Sequence, residues 1–384
     1  MDFSISPESE EIRRTVRELA EREIAPRVMQ YDEKQEFPRA IFRKLGELGL
    51  MGILFPPEYD GAGLGYVDYV AILEELARVD SSVALSVAAH NSLCSNHIYL
   101  YGTEEQKQRY LKPLARGDAI GAWSLTEPTA GSDASGTKTQ ARREAGGWVL
   151  NGSKTFATHG SVCDIAVVFA VTDRAAAKKG ISAFIIGKET PGFRSGKREN
   201  KLGMRASETS ELVMDNCRLP ADQLLGKEGQ GFVNALRILD GGRISIAALA
   251  VGIAQGCLEQ SLAYARQREQ FDRPIAEFQA VQFMLADMAV QTEAARWLMY
   301  RAADMKDRGK NIGCASAMAK LYAGEAAVRA ASAAVQIHGG YGFTKDYPVE
   351  KFYRDVKLCT IGEGTSEIQR LVIARSILGR RTAG

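Results

Sequence analysis

The chain has 384 residues, 45% hydrophobic and 25% charged, an ordinary globular composition with length for two or three domains. Lys and Arg number 49 against 47 Asp and Glu, a formal net charge of +2, so a polyanion-binding surface is not its main business and no nucleic-acid partner is expected. Six scattered cysteines without a CxxC pair read as free thiols of a reducing compartment, which argues against a disulfide framework or a zinc site.

The N-terminus, MDFSISPESEEIRR, is acidic and polar, with no signal-peptide core and no Arg-rich transit segment. No run approaches the roughly 18 apolar residues that cross a bilayer, so a cytoplasmic protein without a membrane span is expected. Ile12, Val16, Leu19, Ala20 and Ile24 recur at helical spacing until Pro26 interrupts them. Further helices are predicted near 40–48, 66–79, 81–100 and 103–111, with GILFPPEYDGAGLG as a loop. Between 122 and about 225 the texture changes. GWVLNGSKTF, DIAVVFAV, GISAFIIG and SELVMDNCRL are short runs rich in Val, Ile and Phe, bounded by turn residues, and predict an antiparallel sheet or barrel. From about Gly229 the chain returns to long Ala-rich amphipathic segments, 230–268, 277–308, 312–338 and 365–378, which predict a helical bundle. The expected fold is mainly α with a central β domain, divided as 1–121, 122–228 and 229–384.

Several motifs carry chemistry. DGAGLG is not GxGxxG, because Tyr66 stands where the third glycine belongs, and no βαβ unit surrounds it. AWSLTEPTAGSDASG, 122–136, begins as a strand and passes into a loop of hydroxyls that suits a polar, ring-shaped ligand with phosphates, or is simply a hydrophilic hairpin. In KTFATHG, Phe156 and Thr158 point to one face of a strand; Phe156 either flanks an aromatic cofactor or belongs to the core. RILDGGRISIA sets Asp240 and Arg243 around a Gly pair that lets a ligand approach the backbone. Arg268, in REQFDRPIAEFQ with Gln279, suits pyrophosphate oxygens or is a solvated helix charge. QIHGGYGF, from Gln336, ends a long helix at a Gly pair. Four histidines without ligand spacing argue against a metal site, and no GxSxG is present. IGEGTSEIQR places Glu363 between Gly362 and Gly364 just before a helix, where Ser366 and Gln369 fit the spacing of a capping box. Glu363 is the best single candidate for a base; the plainer reading is a loop glutamate favoured by the helix dipole.

Eight motifs in order, LTEPTAGSD, NGSKTFATHG, KLGMRASETSEL, LDGGRISIAA, AYARQREQFDRPI, FQAVQ, QIHGGYGF and IGEGTSEIQR, resemble the acyl-CoA dehydrogenases along essentially the whole chain, most of all the short-chain and branched-chain bacterial type. The resemblance implies an N-terminal helical domain, a middle β-barrel, a C-terminal four-helix bundle, and a homotetramer with one FAD per subunit. It implies α,β-dehydrogenation of an acyl-CoA thioester, Glu363 abstracting the α-proton and the flavin taking the β-hydride. Electrons would pass to electron-transferring flavoprotein. FAD contacts are implied for Trp123, Leu125, Thr126, Gly131, Ser132, Phe156 and Thr158. Arg268, Phe271, Gln279, Gln336, Gly339 and Gly340 would hold the pyrophosphate and adenosine end from a neighbouring subunit, and Thr365 and Glu367 would complete the site. Ser132, Asp240, Arg243, Gly362 and Gly364 would meet the substrate. Two departures bear on the acyl group. Gly362 replaces the aromatic residue common before the base, which opens space for a branched, alicyclic or aromatic group beside the short or medium chains of the type. Ala84 stands where glutaryl-type members carry an Arg, which disfavours a dicarboxylic substrate. An oxidase-like relative using oxygen and a non-catalytic CoA-ester-binding paralogue are the competing readings.

Overall fold

The structure, a computed structural model, describes residues 6–379. The first helix, Pro7–Leu19, is N-capped by the Ser6 hydroxyl and runs on through a π turn, Ala20–Ile24, and a 3-10 turn, Ala25–Arg27, into a second helix, Val28–Lys34. Pro26 therefore does not end the helical run. The irregular turns absorb its missing N–H, and the chain continues. Helices Arg39–Glu47, Tyr66–Val79, Ser81–Ala88 and Asn96–Tyr101 follow, the last two joined by a π segment, Ala89–Ser95.

A helical stretch of short pieces, Glu104–Gln106, Lys107–Leu111 and Lys112–Arg116, leads to eight strands: β1 Gly121–Ser124, β2 Gln140–Glu144, β3 Gly147–Thr158, β4 Ile165–Val171, β5 Ile181–Gly187, β6 Phe193–Arg198, β7 Thr209–Pro220 and β8 Leu224–Leu225. They pair in the order β6-β7-β3-β2-β4-β5-β8, with β1 beside β4. The sheet is not wholly antiparallel as expected: β1 runs parallel to β4, Gly121 opposite Ile165. The β2–β3 hairpin lies between them in sequence and gives the long connection that parallel pairing needs. Sequence reading missed β2 and β6 because each buries a single residue, Ala141 and Phe193, and shows no apolar alternation. On β4 the alternation is buried on both faces. Val167 and Phe169 pack with Leu111 and Leu114 of the helices before the sheet, while Ala166, Val168 and Ala170 face an interior shared with residues of β2, β3, β5, β6 and β7. The sheet thus curls around a core of its own.

The C-terminal helices are Gly231–Gln267, Gln279–Asp307, Gly313–His338, a short Val349–Asp355 that the sequence reading missed, and Ser366–Ile377. Helix Gly231–Gln267 is long and apolar enough to cross a bilayer, yet 89% of its most apolar 18-residue window is buried inside the protein. It is the central post of the molecule. Leu73 and Leu76 from helix Tyr66–Val79, Ile246, Leu249 and Ile253 from this post, and Ala323 and Ala327 from helix Gly313–His338 share one continuous core.

Candidate active site

Glu363 lies on the turn before helix Ser366–Ile377, with φ +55°, and Gly364 follows at φ +96°. A left-handed non-glycine residue costs on the order of 1–3 kcal/mol and persists only where its surroundings over-determine it. Here they do. The helix is capped by Thr365, whose hydroxyl accepts from the Ile368 N–H at 3.4 Å. The expected Ser366–Gln369 box is not formed, because Ser366 is already helical and only the extended residue before it can turn its oxygen onto the first N–H groups. Gln369, freed from that duty and fully buried, donates to the carbonyls of Glu363 at 3.4 Å and Gly364 at 2.9 Å. A second buried donor, Nζ of Lys320 on helix Gly313–His338, reaches the same Gly364 carbonyl.

The carboxylate leans on the central post. A Cβ built on Gly242 would overlap Glu363 Oε2, and that oxygen is shielded from solvent with no hydrogen-bond partner. Burial pushes the Glu363 carboxyl up to about 7, against the pull of Lys320 and Arg243. One residue earlier, Gly241 faces the Tyr66 hydroxyl, 2.9 Å from where a Cβ would stand. Tyr66 opens helix Tyr66–Val79, whose first N–H groups, Tyr66 and Val67, donate to the Asp307 carboxylate at 2.7 and 3.0 Å. Asp240 is paired with Arg243 at 2.5 Å, and Arg243 Nε is buried without a partner. The Gly pair therefore brings Tyr66, Glu363, Asp240 and Arg243 around one turn of helix. At Gly362 a Cβ would rest in ordinary contact with Leu358, 3.4 Å from its side chain.

The sheet contributes a second cluster. Gly121, the first residue of β1, is clasped by two buried histidines: its N–H donates to His90 Nδ1 at 3.1 Å, and its carbonyl pairs with His159 Nδ1 at 2.9 Å. Burial pushes His90 down to about 4 and His159 to about 3. Trp123 donates from its indole to His97 Nδ1 at 3.0 Å. The Thr126 carbonyl accepts from Thr155 N–H at 2.9 Å, which draws the LTEP loop onto β3. There β3 bulges against β7 between Lys154 and Ala157. Phe156 sits in the bulge at φ +56° and is 66% exposed, while Ala157 is buried and Thr158 half-buried. Beneath the loop the buried Lys154 pairs with Glu127 at 2.7 Å, and Glu127 also accepts from the N–H groups of Lys138 and Thr139. Leu125 is buried; Gly131 and Ser132 are exposed.

A third cluster is a cavity of about 490 Å³ lined by Arg268, Gly339, Gly340, Tyr264, Ile275 and Tyr341, among others. Arg268 stands 5.9 Å from the Tyr341 ring centroid, and His338 stacks on Tyr264 at 4.3 Å. A Cβ built on Gly339 or Gly340 would meet nothing within 4 Å, so the backbone there is open to a ligand. Phe271, Gln279 and Gln336 are exposed and do not line this cavity; Glu367 is exposed as well. An exposed aromatic beside half-buried threonines, together with an Arg and bare glycines in a cavity, fits a flavin dinucleotide.

Residues 6–118 match the family described as acyl-CoA dehydrogenase, N-terminal domain; residues 122–217 match its middle domain and residues 229–378 its C-terminal domain. The chain belongs to the acyl-CoA dehydrogenase family. It is 49% identical over 377 residues, 98% of its length and 100% of the relative's, to a short-chain specific acyl-CoA dehydrogenase of Clostridium acetobutylicum. The butyryl-CoA dehydrogenase structure from Megasphaera elsdenii superposes with a TM-score of 0.97 at 43% identity, covering 98% of this chain and 100% of that one. A chain from a structure of the electron transferring flavoprotein of Acidaminococcus fermentans gives 0.97 at 48% identity, with the same coverage. Like its family, this acyl-CoA dehydrogenase is an FAD-dependent oxidoreductase.

Sequence reading missed four parts of the site: Lys320, Tyr66, the Gly242–Glu363 contact, and Gln369 as a brace. One signal was available. Lys320 shares a helix face with Gly324, Ala327 and Ala331, and a lysine on an otherwise apolar face calls for a reason.

Proposed function

We propose that Glu363 is the base that removes the α-proton of an acyl-CoA thioester. The observation that carries this is the unpartnered, shielded Oε2 of Glu363 on a braced turn, with its proton affinity raised by burial. An α-hydrogen of a thioester is only weakly acidic, so its removal needs a placed base and stabilisation of the developing enolate. FAD, when bound, supplies the acceptor for the β-hydride. Trp123, Leu125, Thr126, Phe156 and Thr158, with Gly131, Ser132, Thr365 and Glu367, would hold its flavin end. Arg268, Gly339 and Gly340, with Phe271, Gln279 and Gln336, would hold the dinucleotide end of a neighbouring subunit in a homotetramer. Asp240, Arg243, Ser132, Gly362 and Gly364 would meet the CoA ester. The domains of this reading are 1–121, 122–228 and 229–384, and electrons leave to electron-transferring flavoprotein.

Asp240 is the lesser candidate for the base, because its carboxylate is committed to Arg243. The absence of a side chain at Gly362 favours branched, alicyclic or aromatic acyl groups beside butyryl, and Ala84, buried in helix Ser81–Ala88, offers no cation to a second carboxylate. Anaerobic bleaching of bound FAD by a panel of straight, branched and aromatic acyl-CoAs reads out that choice. Glu363→Gln should keep FAD and acyl-CoA binding while slowing bleaching by about 10²–10⁴-fold. Turnover at the wild-type rate would move the base elsewhere.

A further inference from the structure

We propose that Lys320 is a positioning residue of the catalytic turn: its buried ammonium anchors the Gly364 carbonyl, holds Glu363 in its left-handed conformation, and stands as a fixed positive charge behind the carboxylate. The proposal rests on Glu363 being the base.

The first observation is the cost of Lys320. Its side chain is 1% exposed. Lysines are almost never buried without an ionised partner, yet among the described residues no carboxylate lies within ion-pair distance of Lys320. Lys351, equally buried, shows the usual solution: it pairs with both Asp80 at 2.8 Å and Asp355 at 2.5 Å. Lys320 instead spends its hydrogen bond on a neutral carbonyl of the turn that carries Glu363. A buried cation held this way destabilises the fold relative to an apolar side chain, so stability alone does not account for it.

The second observation is geometry. Gly364 carbonyl is braced by two independent donors, Lys320 Nζ and Gln369 Nε2. Helix Gly313–His338 is brought close enough for this by Gly324, one turn beyond Lys320, where a Cβ would stand 2.8 Å from the Cys359 carbonyl. The titratable and charged groups that act on Lys320 are the Cys359 thiol, Glu363 on the turn, Glu367 on the helix after it, and Arg243 on the central post. Burial pushes Lys320 down to about 8, so it still carries its proton at neutral pH. Its charge opposes the upward push of burial on Glu363. The carboxylate is thus basic enough to take an α-proton and still ionised often enough to do so.

Lys320→Met removes donor and charge; Lys320→Gln keeps a donor and removes the charge. Both are compared with wild type and Glu363→Gln as holoenzymes, using butyryl-CoA under anaerobic conditions. The readouts are FAD content, KM, kcat, the pH dependence of kcat/KM and thermal melting. Lys320→Met should keep FAD and leave KM within about threefold, lose about tenfold or more in kcat at pH 7, and move the acid limb up by about one pH unit. Lys320→Gln should show the same limb shift with a smaller loss of kcat on the alkaline plateau. Wild-type kcat and an unmoved acid limb in both, with only the melting temperature changed, would overturn the proposal. If neither neutral variant folds, Lys320→Arg decides: it keeps the charge but displaces the donor, so kcat should fall with the limb unmoved, and unchanged kcat counts against positioning. Glu363→Gln separates the two readings. If it retains turnover the base assignment fails; if it is inactive while the Lys320 variants behave as wild type, only the role of Lys320 fails.

Discussion

Burial and two cations act on Glu363 in opposite directions, and burial wins, leaving its proton affinity raised to about 7. A base works only when ionised. At pH 6 roughly one tenth of free enzyme would carry the active carboxylate, and below that activity should fall about tenfold per pH unit. The kcat/KM profile, which reports the free enzyme, should therefore rise through pH 7 to a plateau. A flat profile between pH 5.5 and 8 would contradict the burial that the site depends on. The residue scale was the least legible in the sequence. Glu363 stood out because its two glycine neighbours are local. Its partners Lys320, Gly242 and Tyr66 lie 43 or more positions away in the chain, and no local pattern ties them to it. Phe156 stood out as an aromatic in a strand, but the bulge that turns it outward depends on a register shift with β7, which the sequence of β3 alone does not show.

At the scale of elements, long helices were read almost to the residue: Tyr66–Val79 as expected, and Gly231–Gln267, Gln279–Asp307 and Gly313–His338 within two residues of their expected ends. Length and a clear apolar period make such segments unambiguous. The short polar strands β2 and β6 and the helix Val349–Asp355 lack that signal and take their form from their neighbours. The decisive contact between elements is where the catalytic turn meets the central post. Gly242 is the only residue type that leaves room there, since even a methyl group would occupy the place of Glu363 Oε2. Gly242→Ala should remain folded, because alanine favours a helix interior by about 1 kcal/mol over glycine. It should nevertheless lose at least about 100-fold in kcat as the carboxylate is pushed off its position. Circular dichroism melting together with anaerobic bleaching by butyryl-CoA checks both halves. Full activity in that variant would show that the carboxylate works from another pose.

At the scale of the molecule, the helical regions before and after the sheet are not separate bodies but share one core. A buried ionic knot fastens them. Lys351 pairs with Asp80 at the end of helix Tyr66–Val79 and with Asp355 on its own helix. Asp355 also accepts from Ser81, at 2.5 Å, and from the Met204 N–H, which brings in the segment between β6 and β7. Lys351→Met would leave two buried carboxylates without their cation, a loss of about 3–5 kcal/mol. It should appear as a lower melting temperature and easier release of FAD, with the kcat of the remaining holoenzyme near normal. A melting temperature within 2–3 °C of wild type, less than roughly 1 kcal/mol implies even for a large domain, would contradict the knot.

The histidine clasp on Gly121 has a consequence for how this protein meets acid. An unfolded chain takes up a proton on each histidine as pH falls through about 6.5. His90, His159 and His97, sealed in the fold, refuse theirs until about 4, 3 and 3. Between those limits each of the three histidines favours the unfolded chain as pH falls, while Glu363, whose proton affinity shifts the other way, returns only part of the loss. The strand that begins the flavin-side motif is thus fastened by a catch that weakens in acid. Acid should therefore cost this enzyme stability as well as activity, a mode of failure separate from the protonation of its base.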